Sequence, residues 1–593
     1  GHTTTTAYDD LGRVDSVQQP SGQTTTYTYD PAGRVETRTD PVGTVTFDYD
    51  NNGNPETIAE DGHVLSRTFD EMDRVQTFTD ARGNQISYQY DLNGNLTLLT
   101  YPDGKTVAYA YDPRNRLETV TDWSGRVTTY QWDAAGRLAG IDRPNGTSRE
   151  NRYTDADELE RFYEYGPDQQ ALHAYARFGY DDDSRVVWRY RLPKPVPRDP
   201  PEFDAAYDAD NRLQTWNSDA VVHDPDGNMT LGPAPGGGDF VNYHYDARNR
   251  LTAVGDVSYQ YDPQGNRIAR SDPGGTTRYV VDPHGDALPR VLVREQPDGT
   301  RNRYVYGIGL LYEVDQSDQA TTYHFDQVGT TVALTDTAGT VTDRVEYTPF
   351  GTVTHREGHT DTPFLFNGAY GVMTDPNGLL HMRARYYNPT LRRFVNADPI
   401  GFDGGLNWYT FANNNPVSLI DPMGLKTLNE WLWGPGGGNI GAGVRAIREE
   451  VESGTSLIEP IDIELFSATV SRQQKLMGTA VTVVAAAEVA AVTSPLWGPY
   501  ALSALKSTVH LARARGPQLA REVFTRPEKR YIIGRNLVGG ALNYAADKGF
   551  GPDPAPVPVP MPGPILTGKA FGFAEGMLPF ASHATENWLG SNK

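Results

Sequence analysis

The feature that most limits what this chain can fold into is an aromatic–Asp pair that returns every 20 or 21 residues. It stands at Tyr8-Asp9, Tyr29-Asp30, Tyr49-Asp50, Phe69-Asp70, Tyr90-Asp91, Tyr111-Asp112 and Trp132-Asp133. Tyr153 continues the series, and the period then loosens through Tyr180-Asp181, Tyr207-Asp208, Tyr245-Asp246 and Tyr261-Asp262. Thr24 to Val35 (TTTYTYDPAGRV) shows the unit: alternating Thr and Tyr, the pair, a short link, Gly, Arg and an aliphatic residue. Alternation marks half-buried strands, and Asp-Pro-x-Gly marks a tight turn. The Asp carboxylate accepts a backbone N–H two residues on, and Gly supplies positive φ. Each unit is therefore a β-hairpin that cannot bury its own face, so neighbours stack into an elongated or spiralling sheet. A calcium ladder on the aspartates is the alternative use, and turn formation is the preferred reading.

Composition divides the chain in two. Residues 426–593 carry 16 Lys and Arg against 14 Asp and Glu, a net charge of +2. That leaves −25 for residues 1–425, which also hold 31 of the 34 tyrosines. A surface of that sign repels nucleic-acid phosphates and anionic lipid, so the large part is not read as a binder of either. The chain has no cysteine, which excludes disulfide scaffolds, Cys-ligated zinc, Fe–S clusters and thiol nucleophiles. No cofactor motif and no metal-ligand set is read anywhere. The first residue is Gly1, already inside the repeat array, and a further N-terminal half is expected.

These repeats resemble the YD repeats of the Rhs family, shared with toxin-complex C subunits and teneurins. Beyond residue 320 the resemblance extends to the Rhs-associated core: YHFDQVG from Tyr323, YTPFG from Tyr347, GLLHMRARYYN from Gly378, then Asp398-Pro399-Ile400-Gly401 and Asp421-Pro422-Met423-Gly424-Leu425. Arg392 departs from the family, which usually has Gly there, and Ala397 stands where Arg is frequent. The resemblance implies a mainly β fold: a YD-repeat β-hairpin spiral forming a hollow shell (cocoon) over 1–320, a self-cleaving core over 321–425, and a variable C-terminal toxin over 426–593, read as mostly α-helical.

Asp398 and Asp421 each open an Asp-Pro-x-Gly turn, and their residues alone favour a purely structural role. The resemblance reverses that preference, since family members use this pair as an aspartyl-protease-like site that cuts after the second motif. Carried over, the cut falls between Leu425 and Lys426, the junction at which charge and tyrosine content change.

The tail must be argued from its own residues. Leu476 to Leu505 holds a single charge, Glu488, and Gly568, Gly572 and Gly576 form a small-residue row along one helix face. Membrane insertion with pore formation is the reading taken, with Glu488 facing a pore. The alternatives are an enzymatic toxin, either a nuclease or an NAD-consuming or ADP-ribosylating enzyme, and a structural YD-repeat adhesion protein with an inert tail. The resemblance further implies synthesis in a bacterial cytoplasm and delivery into target cells, with type VI secretion spike components engaged through the N-terminal region. It also implies a cognate immunity protein, and the pore-forming reading of the tail makes the target-cell membrane the site of action.

Overall fold

A computed structural model describes residues 3–425 except 181–185, 194–201, 237 and 286–287. Residues 426–593 lie outside the described residues, and with them the expected helical tail.

The described chain is built almost wholly of antiparallel strands taken in sequence order. Thr5–Tyr8 through Val186–Leu192 form an 18-stranded meander. Ala205–Tyr207 to Asp219–Ala220 form a three-stranded sheet, and Val222–His223 through Val353–Glu357 a 14-stranded one. Four short strands between Met373–Thr374 and Arg393–Phe394 follow. The second long meander runs across residues 320 and 321 unbroken, with Gly309–Val314 paired to Ala320–Phe325.

The repeat residues explain this geometry. In the unit at Asp30, the Gly33 amide donates to the Asp30 carbonyl at 2.9 Å and the Asp30 amide to the Arg34 carbonyl at 2.8 Å. Gly33 has φ +85° and the register shifts at Thr28/Tyr29, a three-residue turn ending in a bulge. Asp73 and Asn115 take the same left-handed position in later units. The Asp70 carboxylate accepts the amides of Met72 and Arg74 at 2.8 and 3.0 Å and the Arg74 guanidinium at 2.7 Å. The arginine then covers the next aromatic: Arg13 lies 4.3 Å from the Tyr29 ring and Arg34 4.3 Å from Tyr49. Several polar aromatic tips reach back in turn, Tyr29 to the Val14 carbonyl at 2.6 Å and Trp132 Nε1 to Leu117 at 2.9 Å. Where Arg follows the turn, an Asp–Arg–aromatic clasp joins a hairpin to its neighbour, while Asn54 and Asn95 take the arginine's place on Asp50 and Asp91.

Turns at one margin of the first meander dock on the second at similar chain offsets. Ser21 meets Asp226 (offset 205), Asp40 meets Arg248 (208), Tyr101 meets Tyr304 (203) and Asp103 meets Arg303 (200). The main apolar cluster draws on both meanders, with Ile58, Leu65, Ile86 and Val107 beside Val293, Tyr304 and Tyr312. Pro233 ends the strand Met229–Pro233, paired with Phe240. A proline fits the last strand position, where its carbonyl is still used, here by the Tyr243 hydroxyl at 2.8 Å.

Candidate active site

The four short strands carry a two-residue hairpin turn, Arg383-Ala384, between Leu380–Met382 and Arg385–Asn388. Its far side begins at Arg385, which is 2 % exposed. Downstream, each Asp-Pro-x-Gly motif folds as the turn its residues predict. The Asp398 carboxylate accepts the Ile400 amide at 3.1 Å and its carbonyl accepts Gly401 at 3.0 Å. The Asp421 carbonyl accepts the Gly424 amide at 3.2 Å.

Both turns converge on Arg385. Its Nη2 lies 2.7 Å from the Asp398 carboxylate and 3.6 Å from that of Asp421. Nη1 donates to the Trp408 carbonyl at 2.7 Å, Nε donates to the Gly424 carbonyl, and the guanidinium sits 3.6 Å from the Phe394 ring centre. The three charged groups are buried together, with Asp398 6 % and Asp421 2 % exposed. Burial pushes the Asp421 carboxyl up to about 7 and the charge of Asp398 adds to the rise, while Arg385 and the amides of Leu425 and Gly424 oppose it. Burial also lowers the pKa of Arg385.

Leu425 lies within the same cluster. Its amide donates to the Asp421 carboxylate at 2.9 Å. A Cβ built on Gly404 would collide with the Asp398 carboxylate and lie 3.1 Å from the Leu425 carbonyl oxygen, so one backbone point borders both. Gly404 ends the 3-10 turn Gly401–Gly404, which forms a wall of the site. Gly424 has φ +68° and a Cβ there would lie 2.6 Å from the Met382 carbonyl oxygen, so the last turn requires glycine.

The structure thus brings Asp398, Asp421 and Leu425 together. Lys426, Glu488, Gly568, Gly572 and Gly576 lie outside the described residues. The sequence reading gave no role to Arg385, Arg383 or Gly404. A signal was present in HMRARYYN, where two arginines alternate inside an otherwise apolar, aromatic run. Arg392, the departure from the family's glycine, has φ +58°, which accounts for the usual glycine. Its guanidinium stacks 4.9 Å from the Phe203 ring centre.

Hairpins clasped by an Asp–Arg–aromatic unit and stacked in chain order define a YD-repeat β protein. The family model of the teneurin YD-shell matches residues 1–138, 59–220 and 173–417, and the chain belongs to this family. It is 42 % identical over 108 residues to the double-stranded DNA deaminase toxin A of Burkholderia cenocepacia, covering 17 % of this chain and 7 % of that protein. It is 33 % identical over 103 residues to the toxin protein Tse5 of Pseudomonas aeruginosa, covering 17 % of this chain and 8 % of Tse5. The chain therefore matches less than a tenth of the length of either toxin. Among solved structures, TcdB2-TccC3-Cdc42 superposes with a TM-score of 0.56 at 16 % identity over 71 % of this chain and 27 % of that one, a likeness of fold.

Proposed function

We propose that the chain belongs to an interbacterial toxin whose core cuts its own Leu425–Lys426 bond and frees residues 426–593. The observation that carries this is the placement of Leu425, whose amide is held by Asp421 and whose carbonyl borders Gly404 beside Asp398.

The chemistry follows from the asymmetry of the pair. Asp398, ion-paired with Arg385, takes a proton from water as the water oxygen bonds to the Leu425 carbonyl carbon. Asp421, with a pKa near 7, supplies a proton to the Lys426 nitrogen as the C–N bond breaks. The products are a Leu425 carboxylate and a Lys426 amine. Because the peptide is held within the same chain, proximity lowers the barrier to a single turnover. The test is the full-length Asp398→Asn chain on a denaturing gel, beside the unmodified chain. One band for the variant and two for the parent support the reading, and two bands for both would refute it.

For the freed segment, membrane insertion is supported by the nearly uncharged run Leu476 to Leu505 around Glu488 and by the row Gly568, Gly572 and Gly576. The deaminase relative supports an enzymatic tail instead. Dye release from anionic vesicles on addition of the cleaved chain, absent for Asp398→Asn, supports insertion; a base-modified or cut nucleic acid with intact vesicles supports the enzyme. A cognate immunity protein and a type VI secretion apparatus are the partners this reading requires.

A further inference from the structure

The hairpin turn that leads into Arg385 meets three consecutive carbonyls of the segment ending at Leu425. Arg383 Nη1 donates to the Pro422 carbonyl at 2.6 Å, the Ala384 amide to Met423 at 3.2 Å, and Arg385 Nε to Gly424. The rest of the Arg383 guanidinium is fixed to the body of the protein. Nη2 donates to the carbonyls of Pro289 and Tyr370, both at 2.7 Å, and Nε donates to Pro289 at 3.2 Å. Tyr370 and Leu288 pack on Ile420 and Val328, directly ahead of the cleavage segment.

Two features separate Arg383 from an ordinary buried arginine. Among the described residues it has no carboxylate partner, and carbonyl oxygens alone receive its donors. Taking a guanidinium out of water without a counter-charge is costly. Its backbone also has φ +52°, a conformation that disfavours a residue with a β-carbon. Both costs fall on a residue that ties the cleavage segment to the core.

We propose that the hairpin 383–385 is the register gauge of the cleavage site, with Arg383 as its positioning residue. It holds the carbonyls of 422, 423 and 424 and so presents the bond after Leu425, and no other, to Asp398 and Asp421. The inference rests on the self-cleavage reading. A residue that only braced the core would change how much chain folds, not where the chain is cut.

The experiment refolds full-length chain from denaturant and follows cut position and rate by intact-mass spectrometry, with tryptophan fluorescence reporting folding. The unmodified chain is expected to yield one cut, after Leu425. Arg383→Ala is expected to cut roughly tenfold more slowly or worse, with products that end at residues other than 425. Arg383→Lys, which keeps a donor for Pro422 but not the three-carbonyl fork, is expected to fall between. A glycine inserted between Leu425 and Lys426 leaves the gauge intact, so the cut stays after Leu425. A folded Arg383→Ala that cuts only after Leu425, at any rate, overturns the gauge, as does a cut that moves past the inserted glycine. If Arg383→Ala does not fold, the Lys variant and the insertion decide. Failure of the unmodified chain to cut would instead overturn the self-cleavage reading, which separates the two.

Discussion

The Leu425 amide donates to the Asp421 carboxylate at 2.9 Å, so the residue ahead of the proposed cut is gripped by one of the two acids proposed to make it. The bond belongs to the Asp-Pro-x-Gly turn itself, an Asx-type contact that any such turn can make. The proposed catalysis therefore needs no addition to the turn. It needs the turn to be buried against a second carboxylate, which strand Arg385–Asn388 arranges by placing Arg385 between the two.

That burial gives a pH dependence. The Asp421 carboxyl is raised to about 7, so it carries a proton below that pH and loses it above. Chain synthesised and kept in denaturant, then diluted into buffers from about pH 5 to 9, is expected to cut steadily up to about 7 and roughly tenfold more slowly per pH unit beyond. A rate that keeps rising through pH 9 would remove Asp421 as the acid. Stability follows the same sign. A carboxyl raised above its unfolded value favours folding fully below that value, and the contribution is lost as pH rises through about 7. Asp421→Asn is expected to flatten the stability profile over that interval while abolishing the cut.

Gly404 offers a steric test. An added methyl meets the Asp398 carboxylate and comes within 3.1 Å of the Leu425 carbonyl, so Gly404→Ala is expected to displace one or both. Its backbone is not in the left-handed region, so the substitution brings no conformational penalty of its own there. Cleavage should fall by about 100-fold, since small misplacements cost that much, while the melting curve of the variant overlays the parent. Full cleavage of Gly404→Ala on a denaturing gel would show that the wall formed by residues 401–404 is not part of the site.

How far these features could be read in advance depends on whether a residue acts on its neighbours in sequence. Asp70 bonds Met72 and Arg74, and Tyr90 lies one period on, so the recurrence of Asp, Arg and aromatic was enough to predict hairpins. The contacts between the two meanders were not legible. They use Ser21, Asp40, Tyr101 and Asp103 at one turn margin, residues that form no recurring motif, and their partners lie at offsets of 205, 208, 203 and 200. Asp398 and Asp421 announced themselves as turns, whereas Arg385 opens a short aromatic strand whose facing depends on how the later turns fold back. Local rules specify each turn; the convergence of two turns on one guanidinium is a property of the assembled core.

The clasp that joins the hairpins should fail locally. Asp70→Ala removes acceptors for the Met72 and Arg74 amides and frees the Arg74 guanidinium from its place 4.7 Å from the Tyr90 ring centre. A loss of about 1–2 kcal/mol is expected from such hydrogen bonds. Because units contact mainly their neighbours, it should appear as amide exchange roughly 5–30-fold faster in His63–Phe69, Val75–Thr79 and Gln85–Tyr90, with distant strands unchanged. Uniformly faster exchange across the meander would show that the hairpins open together.

A different outcome is expected where the meanders meet at Glu164. This fully buried carboxylate accepts Arg143 at 2.7 Å, Arg149 at 3.2 Å and His324 Nδ1 at 3.0 Å. The Arg143 and Arg149 charges and the hydrogen bond from His324 hold its pKa below the usual carboxylate range despite burial. Burial lowers the pKa of His324, so its ring is neutral near pH 7; a carboxylate needs a donor, which assigns the proton to Nδ1 and leaves Nε2 to accept the Thr335 hydroxyl at 2.9 Å. Glu164→Gln leaves two buried guanidiniums without a counter-charge, and a loss of about 3–5 kcal/mol is expected. The wild-type contribution is present above the unfolded carboxyl pKa and is lost as pH falls through the lowered folded value, so the gap between variant and parent should narrow in acid. Urea unfolding of both chains at pH 7 and in acid measures it. Because the pair bridges strands Leu159–Tyr165 and Ala320–Phe325, the variant should release the two meanders from each other before either unravels. A variant within 0.5 kcal/mol of the parent, a margin of about the size expected for surface substitutions, would show that apolar packing alone holds the sheets together.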